Sequence, residues 1–259
     1  TSQWAAMATD DLVALSASQW SVVSTEALVA LGTAQWASLA SDDLRGLTAS
    51  QWASAASDDL NALSATQWSQ LGTDDLRGLG ASQWQAMTSE DLVALIGPQW
   101  GSLSSVGLTA LGTGQWASIG AEDLRGLVGA QWEQLGAGTL VALTTTQWQG
   151  LASDDLRGLT ASQWSVVASD DLQALTVLQW QSMASDDMKG LVTSQWAAMA
   201  TDDLVALSAS QWSVVSTEAL VALGTAQWAS LASDDLRGLT ASQWASAASD
   251  DLNALSATQ

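Results

Sequence analysis

The chain has 259 residues, 47% of them hydrophobic, with 27 acids against six bases and a net charge of −21. That balance excludes the positive surface that nucleic acid requires and gives no attraction to anionic membranes. The absence of Cys and His removes disulfides, thiol chemistry and the usual ligands for haem or a transition metal.

From the first residues onward the chain repeats every 16 residues. The opening repeats read TSQWAAMATDDLVALS, ASQWSVVSTEALVALG and TAQWASLASDDLRGLT. With Trp at repeat position 4, Gln at position 3 never varies, and position 15 is always Leu. Position 12 is Leu everywhere except Met188. The whole tryptophan content forms this one column: Trp4, Trp20, Trp36, Trp52, Trp68, Trp84, Trp100, Trp116, Trp132, Trp148, Trp164, Trp180, Trp196, Trp212, Trp228 and Trp244. A fixed period along an entire chain marks a small structural element stacked many times.

Each repeat divides into two halves of eight, so that Trp52 and Ala55 match Leu60 and Leu63. The apolar positions 4, 7, 12 and 15 are spaced 3, 5, 3, 5. The threes suit one face of a helical turn, and the fives require a break between halves. Period-two alternation, the mark of a β-solenoid, is absent.

Helix-start signals fall at the breaks. Ser or Thr at position 9 followed by acids, as in Ser41-Asp42-Asp43-Leu44, predicts a hydroxyl N-cap with acids in the first turn. Thr48-Ala49-Ser50-Gln51 predicts a capping box. Further on, Pro98 suits a first helical position before Gln99-Trp100. These cues differ by one residue in register. Each helix would be roughly six residues, about 9 Å long, too short to persist without neighbours. Trp on one wall and Leu on the other would line a narrow core.

Position 14 is only Ala or Gly, and Gly occurs whenever position 13 is basic, as in Arg45-Gly46 and Lys189-Gly190. A basic stem folding over the space of the missing methyl would explain the coupling. Residues 92–121 and 134–153 carry no charge. They keep the repeat's polar positions and read as repeats that lost their acids, not as membrane spans. From Thr193 the chain begins again: residues 193–259 copy residues 1–67 without a difference. Residues 1–259 therefore read as one continuous array. Neither end departs from the repeat, which predicts a window of a longer array without caps.

Three column functions follow from the residue types. An exposed Trp column could stack on glycans; a buried one would fill the core. The Asp pairs at positions 10 and 11 could form a calcium ladder, but calcium wants six to eight oxygens. Repeats at Val106-Gly107 and Gly138-Thr139 break such a ladder. No residue is singular, and no His or Cys is present to activate a nucleophile, so no enzyme is expected.

The segments Leu47-Thr48-Ala49-Ser50-Gln51 and Ser41-Asp42-Asp43-Leu44, recurring along the whole chain, resemble the short Ser/Thr-Leu tandem repeats of giant bacterial surface and adhesin-like proteins. The resemblance implies an extracellular, non-enzymatic array on a bacterial surface. The combined expectation is an all-α solenoid of 16-residue repeats, each of two very short helices, coiled into a superhelix. It would serve as a fibre or stalk, with self-association open to it and without a cofactor. The alternative is a repeat binding module for glycan or calcium.

Overall fold

The computed structural model describes residues 2–259. Among them lie 32 helices of four to six residues and no strand. The chain forms two compact bodies, Thr1–Leu135 and Gly136–Gln259, each built as an α-solenoid of the same half-repeats. Each 16-residue repeat supplies a Trp helix, such as Ala49–Ser54, and a Leu helix, such as Ser57–Leu60.

The five-residue spacing between core positions has a direct backbone cause. After Ser54 the chain becomes extended at Ala55 (φ −64°, ψ 136°) and stays extended at Ala56 (φ −72°, ψ 148°) before the next helix begins. Two extended residues re-aim the chain and let the position-7 side chain enter the core. No described residue has a positive φ. These helices therefore end without the left-handed glycine cap common elsewhere.

The helix register is eight residues throughout, with N-caps at positions 8 and 16. This corrects the expectation for position 9. Ser41 is the first helical residue and Ala40 is the cap. Pro98 lies second in the helix Gly97–Trp100, one residue later than expected, with Ile96 as cap. The Thr48 box is formed as expected: its Oγ1 accepts from Gln51 N, and its N–H donates to Gln51 Oε1 at 2.6 Å.

Within each body, a helix packs against the one three elements along, as Ala209–Trp212 does on Ser233–Gly238. Three is odd, so every such contact joins a Trp helix to a Leu helix. Trp and Leu helices therefore alternate around the stack, and the expectation of separate Trp and Leu walls is wrong. The core is filled by Trp, by Leu at positions 12 and 15, and by the residue at position 7. Trp52, Leu60 and Leu63 are all buried.

The glycines at position 14 mark the closest backbone approaches. A Cβ on Gly46 would stand 2.5 Å from the carbonyl oxygen of Ala17, and one on Gly78 would stand 2.8 Å from that of Ala49. The space of the missing methyl is thus occupied by the backbone of a helix three elements back. The basic stem does not fill it. Arg45 instead reaches outward to Asp42 in its own helix, and all six bases make this i, i−3 pair. These pairs are solvent-exposed, so each contributes little.

Replacing Gly46 with Ala should cost about 1–3 kcal/mol through overpacking against fixed backbone. Gly114→Ala, at an exposed helical position facing open space, should be neutral or slightly stabilising. Thermal melts of the two variants measure the contrast.

Candidate functional site: the Gln–Trp–Asp register

Gln at position 3 is the third residue of its helix, and its amide makes two kinds of bond at once. In the helix Ala49–Ser54, Gln51 Oε1 accepts from the cap amide of Thr48. Gln51 Nε2 donates to Trp20 O at 2.8 Å and to Val23 O at 2.7 Å, at the C-terminal end of a Trp helix four elements back. One side chain therefore closes the start of its own helix and the end of another. Gln83 does the same with Gly80, Trp52 and Ala55, and Gln99 with Ile96, Trp68 and Leu71. In the second body Gln179, Gln195, Gln211, Gln227 and Gln243 repeat it.

This geometry explains why the column never varies. Glu offers no Nε2 donors, and Asn is one methylene short. The duplicated segments make the point independently. Gln243, the copy of Gln51, meets Trp212 O and Val215 O at 2.8 and 2.7 Å, so one sequence gives the same contacts in both bodies.

Asp at position 11 occupies the matching place in the Leu helices. Asp75 Oδ2 accepts from the cap amide of Gly72 at 2.8 Å, and Asp75 Oδ1 accepts from Trp52 Nε1 at 3.2 Å. The carboxylate thus does for the Leu helix what the Gln oxygen does for the Trp helix, and receives an indole from below as well. The indoles of Trp164 and Trp180 oppose the rise in pKa of Asp187 and Asp203, although their N–H groups make no full hydrogen bond. Where the acid is lost, the capping changes hands. Ser24, Ser104 and Ser216 cap Ala27, Gly107 and Ala219 through their own hydroxyls.

The pairs at positions 10 and 11 diverge. Asp43 turns inward and is buried, while the side chain of Asp42 is 80% exposed. Among the described residues no three acids gather where they could hold a metal ion. No helix there is long and apolar enough to cross a membrane.

The indoles lie inside. Every Trp from Trp20 to Trp228 is buried, while Trp4 and Trp244 are half-buried. Neighbouring rings approach in pairs, as Trp36 and Trp52 do at 6.2 Å between centroids with planes tilted by 49°. The comparable pair Trp196 and Trp212 stands at 5.9 Å. Tilted contacts at this distance are favourable for aromatic rings. The arrangement leaves no row of indole faces turned to solvent.

Burial acts on the inner carboxylates. It raises the pKa of Asp43, Asp59, Asp75, Asp123, Asp187 and Asp235, with the cap amide or an indole opposing the shift at several of them. It raises Asp171 and Asp203 to about 6. Exposed Glu26, Glu218 and Asp186 move the other way, through hydrogen bonds to the charged form.

Compared with protein-family models and with curated proteins, the chain matches none.

Two predictions follow from this register. Gln51→Glu places a carboxylate against two carbonyl oxygens and should cost at least about 2 kcal/mol at neutral pH, seen as a lower denaturation midpoint that partly recovers in acid. The second concerns the inner aspartates, which bind protons more readily folded than unfolded. Stability should therefore rise as pH falls from 7 through about 6 towards the unfolded carboxylate value near ~4, and that gain is lost again above the folded pKa. Below that window the exposed acids with lowered pKa pull stability back down. Melts at pH 7, 5 and 3 should peak at the middle value. Asp203→Asn should flatten the rise.

Proposed function

We propose that this chain is a non-enzymatic structural array, a spacer whose function is the length and stiffness of its helical stack. The observation that carries the reading is the inward placement of the columns. The indoles fill the core, the Gln amides join successive turns, and the inner Asp carboxylates cap helices. The most regular residues are buried inside the chain itself, which leaves them unavailable as a ligand-binding row. The exposed surface carries acids and small polar residues, with single aliphatic side chains such as Val22 and Leu178 among them. A net charge of −21 favours solubility and keeps neighbouring arrays apart at low ionic strength.

An extracellular place on a bacterial surface belongs to the same proposal, resting on the likeness of Leu47-Thr48-Ala49-Ser50-Gln51 and its recurrences to surface-protein repeats. The glycan-binding alternative needs indole faces in solvent, and calcium binding needs carboxylates that converge.

Tryptophan fluorescence separates these readings. A core column predicts blue emission, poor quenching by acrylamide and no change on titration with oligosaccharides or calcium. Red, readily quenched emission, or a shift on adding either ligand, would overturn the spacer reading in favour of a binding module. Deleting residues 49–80, two whole repeats, should shorten the particle in small-angle scattering while retaining the helical circular dichroism per residue.

A further inference from the structure

One turn of the first body departs from the register. The helix Ser105–Ala110 stacks on Ala81–Ala86, and its third residue is Gly107 where the equivalent Leu helix two repeats earlier has Asp75. A Cβ on Gly107 would stand 3.1 Å from Trp84 Nε1 and Cε2. The backbone thus sits directly on the indole, with no side chain between them. Trp84 is wholly buried, and its N–H has no hydrogen-bond acceptor.

Trp20, Trp36, Trp68 and Trp100 also lack a full bond at the indole N–H, yet each has an aspartate 23 residues ahead, the separation at which Trp52 meets Asp75. Trp20 is followed by Asp43, Trp36 by Asp59, Trp68 by Asp91 and Trp100 by Asp123. Trp84 has glycine there. Ala27 is the similar case, but its indole, Trp4, is half-buried and open to water. The same replacement deprives the Ser104 cap amide of the carboxylate that Gly72 receives from Asp75. Ser104 Oγ accepts from Gly107 N at 3.3 Å, which closes another helix-start amide and replaces neither bond that Asp75 accepts. A glycine inside a helix adds its own backbone freedom to this deficit.

We propose that the stack of residues 81–86 on residues 105–110 is a built-in opening point, the place where the first body separates first under heat, denaturant or tension. The inference goes beyond the spacer reading and holds whether or not the array is a spacer. An element with missing polar partners and a flexible helix start belongs to the low-stability end of a fold. Placed inside the stack, it would let the array yield at a defined turn and reclose.

Native-state hydrogen exchange on the full chain tests this. Amides of residues 107–111 should exchange at least about fivefold faster than those of residues 75–79, the corresponding segment two repeats earlier. Gly107→Asp should slow that exchange by a similar factor, and by more than Gly107→Ala, which adds a methyl without an acceptor. Asp75→Gly should create a second opening point, speeding residues 75–79 to the rate of residues 107–111. Equal rates in the unaltered chain would overturn the proposal. So would full protection by Gly107→Ala, or an unchanged segment in Asp75→Gly.

Discussion

A helix of four to six residues leaves nearly all its backbone polar groups without a partner inside the helix. The first four N–H groups and the last four carbonyls of any helix are unpaired, and here the two sets almost exhaust the element. The 32 such helices among the described residues hold together only if their ends are closed by other parts of the molecule. The Gln amide solves both ends together. Its oxygen takes the cap N–H of its own helix, and its nitrogen gives two protons to the carbonyls of a helix about 30 residues earlier. Because the two halves of the amide lie on one rigid plane, the start of one turn fixes the end of another. The Asp column works as a partial counterpart, closing helix starts and taking the indole N–H where geometry allows.

The hydrophobic core depends on this register. Indoles enter the interior from alternate helices, and the Leu residues at positions 12 and 15 fill the space between them. A large ring at each repeat compensates for helices too short to bury much surface individually. The cost is a polar N–H inside the core at every repeat. Inner carboxylates are the natural answer, although burial raises their pKa. The position-14 glycines show the opposite constraint, since the stack at Gly46 and Gly78 closes until backbone meets backbone.

Much of this was legible in the sequence. The spacing of 3, 5, 3, 5 gave the short helices and the breaks between them, and Thr48-Ala49-Ser50-Gln51 gave a correct capping box. The buried third place of Asp59 in its helix was open to the same reading. Matching Trp52 to Leu60 also matches Gln51 to Asp59, so both must be third in their helices, and Ser57 cannot be a cap. The hydroxyl-then-acid pattern at position 9 misled because it is common at helix starts in either register. The contacts between turns were not legible at all. Nothing local to Gln51 names Trp20 and Val23 as its partners, and nothing in Arg45-Gly46 reveals that Ala17 backbone fills the gap. Such separations depend on how many half-repeats make a turn, which is set by packing and not by any single residue.

If the Gln amide is the joint between turns, its protons must be held. Nuclear magnetic resonance can follow hydrogen exchange at individual side-chain Nε2 groups. The account predicts strong protection for Gln51, Gln83 and Gln99, each buried and bonded to two carbonyls, against rapid exchange for the exposed Gln70. Exchange of the buried amides as fast as that of Gln70 would contradict it.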